Sequence, residues 1–234
     1  MARKITKAEL KEPDRIHTVL GRAIDYASEN RKKIYLLSGI FLLILILSGI
    51  WYFYGLSCEK KAQEMYSSAF DSYNTVNTTT DSKEFKNAAN LFEELIKKYP
   101  QTNTAQLARY NLGNIYFNLG KIDKSIDSYK QFLKKSSKDN VLTSLAYYGL
   151  GYCYEAKKEY AKALESYDKS SIQRTGKFYL AMNYQSMARV YEEMNKPDKA
   201  EEYYKKALEQ ISDPLTERLI KRKISTLGSL VKSK

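Results

Sequence analysis

The segment ARYNLGNIYFNLGKIDKSIDSYKQFL, from Ala108 to Leu133, recurs in related form further along the chain. The later copies are AYYGLGYCYEAKKEYAKALESYDKS, from Ala146, and NYQSMARVYEEMNKPDKAEEYYKKAL, from Asn183, and a partial copy, AANLFEELIKKYP, precedes them. One small residue recurs in all four at intervals of 37, 38 and 37 residues, as Ala88, Ser125, Ala163 and Ala200. An aromatic residue follows each by four positions, as Phe92, Tyr129, Tyr167 and Tyr204. A period of this length predicts a stack of similar supersecondary units.

These copies resemble the tetratricopeptide repeat, in which helix A, a turn and helix B form one unit. The first half of each later copy carries a small residue with an aromatic residue three positions on, as Gly113/Tyr116, Gly151/Tyr154 and Ala188/Tyr191. The small residues let paired helices approach, and the aromatic rings fill the space between pairs. The resemblance implies an all-α solenoid with repeats over residues 82–212. Gly120 and the segment 195–197 (Asn-Lys-Pro) fall at the turns between helices A and B.

The two ends of the repeat region differ from its middle. A helix over residues 59–73 stands in for the first helix A and lacks the Leu-Gly pair; a polar, β-branched loop is expected from Asn74 to Asp81. Asp81 or Ser82 is the expected N-cap of the following helix. At the other end, Asp213 and Pro214 open a last apolar-striped helix. We expect a juxtamembrane helix and loop over residues 55–81, and a capping helix and tail over 213–234.

Residues 34–54, IYLLSGIFLLILILSGIWYFY, contain no charged side chain. A helix of this length is about 32 Å long, close to the hydrocarbon thickness of a bilayer. We therefore predict a single transmembrane helix over residues 34–54. Basic residues precede this segment and amphipathic aromatic residues close it, which predicts a membrane anchor made of Arg31, Lys32, Lys33, Trp51, Tyr52 and Tyr54.

The N-terminal segment, residues 1–33, is predicted to be cytoplasmic. Within about twenty residues of the apolar run, more Lys and Arg residues precede it than follow it, and such residues resist transfer across the membrane. The long C-terminal part then crosses the membrane, and in a bacterium it lies in the periplasm at the inner membrane. Residues 1–13 are polar, and no packed structure is expected for them. Apolar residues between Ile16 and Ala27 recur at helical spacing, which predicts an amphipathic helix ended by the segment 28–30. This helix rests on the cytoplasmic leaflet or packs on a helix of a partner.

The composition contains little that suggests catalysis. The chain has 39 Lys and Arg against 27 Asp and Glu, a net charge of +12, one histidine and two cysteines. No phosphate-binding loop, nucleophile with a histidine, or metal-ligand spacing is present in the sequence. We therefore predict a non-enzymatic protein with no cofactor, no metal and no small-molecule substrate. Charges of both signs alternate along the helices, which favours a solvated surface over a nucleic-acid site.

The tetratricopeptide resemblance implies that helix A residues line a concave groove for polypeptides. The corresponding positions are Tyr110, Asn111, Asn114, Tyr148, Tyr152, Gln185 and Arg189. Tyrosine offers a broad and fairly rigid contact surface with a hydroxyl group, which suits polypeptide recognition. The alternative, left open for each tyrosine, is packing between repeats. Only Asn114 matches the carboxylate-binding positions of chaperone-docking members, whose lysines have no counterpart here.

A wider resemblance follows from the order of these segments. The stretch 25–30 (DYASEN) leading into the apolar run, the Trp51-Tyr52 pair and the stretch 69–73 (AFDSY) resemble the YfgM-like ancillary subunits of the SecYEG translocon in the bacterial inner membrane. This family is associated with periplasmic chaperones near the translocon exit. The resemblance implies a scaffold that binds translocon subunits, periplasmic chaperones or unfolded secreted chains. The alternative is an adaptor for envelope or outer-membrane biogenesis, which lipidation at Cys58 would favour.

Overall fold

The computed structural model describes residues 15–79, 82–137, 141–172 and 177–232, and all ten regular elements in these ranges are α-helices. The chain divides into two units, Met1–Leu56 and Ser57–Lys234. The helices are α1 (Arg15–Glu29), α2 (Arg31–Thr79), α3 (Ser82–Lys98), α4 (Asn103–Asn118), α5 (Ile122–Leu133), α6 (Val141–Ala156), α7 (Tyr160–Ile172), α8 (Lys177–Glu193), α9 (Pro197–Leu208) and α10 (Pro214–Lys232). The predicted all-α class is confirmed.

The first described element of the first unit is α1, which matches the predicted amphipathic helix. It ends at Glu29, and the next residue, Asn30, donates both its backbone N–H and its side-chain Nδ2 to the carbonyl oxygen of Tyr26, at 3.0 and 3.1 Å. An asparagine that satisfies a terminal carbonyl in this way is a common helix stop. The predicted loose segment, residues 1–13, lies outside the described residues.

Helix α2 contains the predicted apolar run. It is the one helix among the described residues that is long and apolar enough to cross a membrane, with a mean hydropathy of 2.4 over its most apolar window and none of that window buried. Its large side chains, Leu36 and Phe41 among them, are exposed. Such exposure in water would be costly, and a lipid environment removes that cost.

In the second unit, the later part of α2 packs as the helix A of the first repeat. Ala62 and Ala69 are fully buried, and the ring of Tyr66 lies edge-on to Phe92 of α3, 5.5 Å between centroids. The loop predicted from Asn74 onward was placed too early, because α2 continues to Thr79. Asn, Thr and Val disfavour a helix by only about 0.5 kcal/mol each, so the continuing backbone hydrogen bonds outweigh their preference. Asp81, one of the two expected N-caps, lies outside the described residues, and Ser82 is the first residue of α3.

The remaining helices form A–B hairpins: α4 with α5, α6 with α7, and α8 with α9, closed by α10. Consecutive helices contact each other, and α4 also contacts α6. The recurring small residues are fully buried between helices, and each recurring aromatic residue is buried beside them. The repeat register predicted from the sequence is therefore confirmed.

The three later A–B turns share one backbone conformation. Gly120, Lys158 and Asn195 have φ values of 70°, 58° and 55°. The next residue in each turn donates its N–H five positions back along the chain, as Lys121 does to the Tyr116 carbonyl at 2.8 Å. This is the Schellman closure, in which a left-handed residue follows the helix. The same closure therefore ends helix A in each of these three hairpins.

Glu59, near the start of the second unit, joins α2 to α4. Its carboxylate accepts the backbone N–H groups of Asn103 at 2.8 Å and Thr104 at 3.0 Å. These are the first two residues of α4, where unpaired N–H groups attract negative charge. The first two repeats are thereby held together by a charge-assisted contact.

Candidate functional site

A groove of about 230 Å³ lies between helices α4 and α6, which are the A helices of the second and third repeats. We call it the inner groove. Its lining is aromatic, aliphatic or amide in character and consists of Tyr110, Asn114, Phe117, Tyr129, Leu145, Tyr148, Gly149 and Tyr152. Four of the seven predicted site residues therefore come together here: Tyr110, Asn114, Tyr148 and Tyr152.

Tyr129 of α5 forms the buried base of the inner groove. Its ring packs so closely on Gly113 and Gly149 that a Cβ atom at either position would lie 2.5 Å from a ring carbon. Its hydroxyl donates to Asn114 Oδ1 at 2.6 Å. Burial raises the pKa of this hydroxyl well above its ordinary value. Asn114 is thus oriented by Tyr129, and glycine at two helix A positions is what admits the ring.

Tyr148 and Tyr152 form one wall of the inner groove. Their rings meet edge to face with centroids 5.0 Å apart, and Phe117 lies against Tyr152 at 6.2 Å. The Tyr148 hydroxyl lies 3.1 Å from the Tyr152 hydroxyl and 3.2 Å from Ser186 Oγ. Both rings are half-buried. They therefore pack between repeats and also face the groove, so the two alternatives left open for them are compatible.

The two hydroxyls differ in acidity. Burial raises the pKa of Tyr148. Burial also acts to raise the pKa of Tyr152, but the hydrogen bond with Tyr148 and the nearby Arg189 guanidinium lower it overall. Either hydroxyl can be the donor in the hydrogen bond between them.

Arg189 does not line the inner groove. It pairs with Glu155 of α6, and its guanidinium lies over the Tyr152 ring, 5.1 Å from the centroid. The hydrogen bond to Glu155 is the main reason that its pKa is raised. Arg189 therefore packs on the Tyr152 ring and helps to hold it in place, but it is not part of the groove lining.

Asn111 and Gln185 also lie away from the groove. Asn111 is buried, and its Nδ2 donates to the Tyr66 hydroxyl of α2 at 2.8 Å. Gln185 lies half-exposed on α8 and is not among the residues that line the groove. Position 111 corresponds to position 149 one repeat later. Asparagine at position 111 forms a buried hydrogen bond, whereas glycine at position 149 lines the groove, so the role of this repeat position changes with the residue type.

The predicted anchor residues flank the apolar run on the surface of α2. The basic residues Arg31, Lys32 and Lys33 open the helix and are exposed. The aromatic residues at the other end, Trp51, Tyr52 and Tyr54, are also exposed. Exposed basic and aromatic side chains at the two ends of an apolar helix suit the headgroup layers of a bilayer.

The groove contains four residues that the sequence interpretation did not select: Phe117, Tyr129, Leu145 and Gly149. Tyr129 was recognised only as a recurring packing residue. The extra glycine in the stretch YYGLGY was the available indication, because a second glycine on a helix A implies a close neighbour there.

The A–B hairpins, their Schellman turns and their buried small residues together define an α-solenoid of the tetratricopeptide type. The chain belongs to the tetratricopeptide repeat-like domain family, whose model matches residues 28–229. Solenoids of this type are generally non-catalytic surfaces for protein partners.

Solved structures with this fold come from several bacteria. MamA (residues 41 to the end) from Desulfovibrio magneticus RS-1 superposes with a TM-score of 0.53 at 16% identity, covering 64% of this chain and 75% of that chain. A tetratricopeptide repeat protein from Parabacteroides merdae ATCC 43184 superposes with a TM-score of 0.56 at 20% identity, covering 71% of this chain and 61% of that chain. PilF from Pseudomonas aeruginosa superposes with a TM-score of 0.56 at 14% identity, covering 76% of this chain and 72% of that chain. These identities establish a shared fold alone. No curated protein matches the sequence.

Proposed function

We propose that this protein is a membrane-anchored, periplasmic scaffold whose inner groove binds polypeptide segments close to the secretion translocon. In this role it assists the folding or trafficking of secreted proteins. The observation that carries the proposal is the inner groove itself. Its uncharged, tyrosine-rich wall, held rigid by Tyr129 and by the Tyr148–Tyr152 contact, suits an extended chain with apolar side chains.

The chemistry of the wall limits what it can bind. Half-buried tyrosines give contact area at little cost in side-chain entropy, and their hydroxyls accept or donate to a peptide backbone. The groove-lining residues include no cation, and the nearby Arg189 is already paired with Glu155. A free carboxylate in the groove would therefore lack a counter-charge. The inner groove therefore favours internal segments of a polypeptide over a chain terminus.

The cellular location is proposed on separate grounds. The exposed apolar part of α2 and the excess of basic residues before it support an N-terminus in the cytoplasm and repeats in the periplasm. The resemblance to YfgM-like ancillary translocon subunits supports a place at the exit of the translocon. Trypsin treatment of intact spheroplasts tests the orientation. Cleavage of the repeats is expected, and their full protection would contradict the proposal.

Site-specific photocrosslinking in living cells tests the partner. A photoreactive residue replaces Leu145 or Tyr152, which both line the groove, and Leu145 makes no side-chain hydrogen bond that would be lost. The matched control replaces Lys205, an exposed residue of α9. Adducts with translocon subunits, periplasmic foldases or secreted chains from the groove positions only are the expected result.

Two other results would contradict the proposal. Adducts with outer-membrane assembly proteins would favour the envelope-biogenesis adaptor instead. Adducts from Lys205 with none from Leu145 or Tyr152 would show that the inner groove is not the binding surface.

A further inference from the structure

The outer side of the solenoid, formed by the B helices, carries two grooves at equivalent places in consecutive repeats. The first lies between α3 and α5, has a floor of Leu112 and Tyr116 from α4, and encloses about 530 Å³. The second lies between α5 and α7, has a floor of Leu150 and Tyr154 from α6, and encloses about 470 Å³. The floors match because position 112 corresponds to 150 and position 116 to 154.

The charges around the two floors differ. The first groove has three cations, Lys97, Arg109 and Lys124, and three acids, Glu93, Asp123 and Asp127, so its lining is neutral. The second has one acid, Glu165, and four cations, Lys130, Lys134, Lys162 and Lys169, a net charge of +3. We call them the neutral outer groove and the basic outer groove. The same floor thus occurs once with and once without a positive rim.

The lysines of the basic outer groove form a rim on each side of an aromatic floor. Lys130 of α5 and Lys162 of α7 lie 5.8 and 5.5 Å from the centroid of the Tyr154 ring, and Lys169 lies 6.0 Å from that of Tyr147. Lysine stems that cover aromatic rings in this way keep their ammonium groups at the edge of the groove. An apolar floor is therefore flanked by positive charge on both sides.

Two of the four lysines of the basic outer groove are paired with acids, and the other two are available to a ligand. Lys162 pairs with Glu159 at 2.6 Å and Lys169 pairs with Glu165 at 2.7 Å. Among the described residues, neither Lys130 nor Lys134 forms an ion pair with a carboxylate. Two exposed cations on one rim thus lack a counter-charge within the described protein.

We propose that the basic outer groove binds an acidic polypeptide segment, with an apolar or aromatic side chain on the floor and carboxylates beside the lysines. The apolar floor and the lysine rims each bind a different part of such a segment. A flat anionic bilayer surface would reach the rims but not the recessed floor, and a phosphate backbone would use the charge without the floor. The site is separate from the inner groove and does not depend on what that groove binds.

The test uses full-length protein in nanodiscs of phosphatidylcholine and fluorescence anisotropy. The probe is a fluorescein-labelled 12-residue peptide in which four glutamates flank one central phenylalanine in a Gly/Ser background. Saturable binding is expected, and it should weaken on raising NaCl from about 0.05 M to 0.3 M because salt screens exposed charges. A peptide with Gln for Glu, or with Ser for Phe, should bind more weakly.

The double variant Lys130→Gln/Lys134→Gln removes the unpaired rim, and affinity should fall about five-fold or more. The matched control, Lys97→Gln/Lys124→Gln, removes the same charge from the neutral outer groove and should change affinity less than about two-fold. Far-UV circular dichroism confirms that both variants keep their helices. Equal losses in the two variants, or equal binding of the Gln peptide, would overturn the proposal. Displacement of the peptide from wild-type protein by phosphatidylglycerol vesicles, but not by phosphatidylcholine vesicles, would assign the groove to a lipid surface instead and overturn it as well.

Discussion

Arg189 of α8 holds Glu155 of α6 through two hydrogen bonds, from Nε to Oε1 at 2.6 Å and from Nη2 to Oε2 at 2.9 Å. The Tyr167 hydroxyl of α7 donates to the same carboxylate at 2.8 Å. One acidic side chain thus ties together three helices from two repeats. Arg189 occupies the register position of Asn114 and Tyr152 in the earlier repeats, so the fourth repeat uses this position for structure.

A double-mutant cycle with Glu155→Gln and Arg189→Met should give a coupling free energy of about 1 kcal/mol or more. The pair is bidentate, and the Glu155 side chain is only 17% exposed, although solvent screens the 39%-exposed Arg189. The cycle is measured by urea unfolding of the full-length protein in detergent. Lys199 and Glu202, an exposed pair on α9, provide the control, with an expected coupling below about 0.5 kcal/mol. Equal coupling in the two pairs would contradict the prediction.

Gly151→Ala should destabilise the protein by about 1–3 kcal/mol, because the added methyl group would overlap the ring of Tyr167. Tyr167 is fully buried, so its ring has no space into which to move. Gly228→Ala in α10 is the matched control, since among the described residues no atom outside its own stretch of helix lies within 4 Å of its added Cβ, and it should stabilise by up to about 1 kcal/mol. Thermal unfolding followed at 222 nm distinguishes the two. Similar melting temperatures for both variants would mean that the Gly151–Tyr167 contact is not tight.

Lys158→Gly should stabilise the protein by about 0.5–1 kcal/mol. Lys158 has φ 58°, and a non-glycine residue in this region costs about 1–2 kcal/mol, partly offset by the greater freedom of glycine in the unfolded chain. Gly120→Ala at the equivalent turn, with φ 70°, should destabilise by about 1 kcal/mol. Urea unfolding of both variants beside wild type measures the difference. A loss of stability in Lys158→Gly would show that the side chain, not the backbone, governs this turn.

The N-terminus of α10 should lose stability in acid. Asp213 Oδ2 accepts the Thr216 N–H at 2.8 Å and the Thr216 hydroxyl at 2.6 Å, and these hydrogen bonds lower the pKa of Asp213. A carboxyl with a lowered folded pKa contributes stability above its unfolded pKa of about 3.9, and this is lost as the pH falls through the folded value. Asp213→Ala should therefore lower the melting temperature by roughly 2–4 °C at pH 7, and by less as the pH falls below about 4.

Asp213→Asn provides the control for this titration. Asparagine caps a helix about as well as aspartate but carries no titrating proton, so it should keep most of the stability at pH 7 and lose the acid-dependent part. An unchanged pH profile in this variant would place the acid sensitivity elsewhere in the protein.

The fold could be predicted from the sequence because the recurring residues have a single physical role. Ser125 and Ala163 lie where two helices touch, so only small side chains fit, and the spacing between them carries the register of the whole solenoid. The course of α2 through residues 74–79 was harder to foresee. Local preference there is weak, and a helix that is already formed is extended by one backbone hydrogen bond per added residue.

The inner groove could be predicted only in part. Family register selected Tyr110, Tyr148 and Tyr152, which the structure brings together in one groove. It could not show that Asn111 bonds to Tyr66, 45 residues earlier, or that Arg189 pairs with Glu155. The basic outer groove was missed for the same reason. Its lysines lie on two B helices, and along the sequence they resemble ordinary solvated helix faces.

The hairpins of the second unit rest on their immediate neighbours, since the contacts described run between consecutive helices and between the A helices of adjacent repeats, α2 with α4, α4 with α6, and α6 with α8. Such an array can lose its outermost member without losing the rest. A protease that attacks from the C-terminus would therefore shorten the array one hairpin at a time. The inner groove, built from α4, α5 and α6, would be among the last parts to be damaged. Its position in the middle of the stack thus gives the binding surface a longer lifetime than the ends that enclose it.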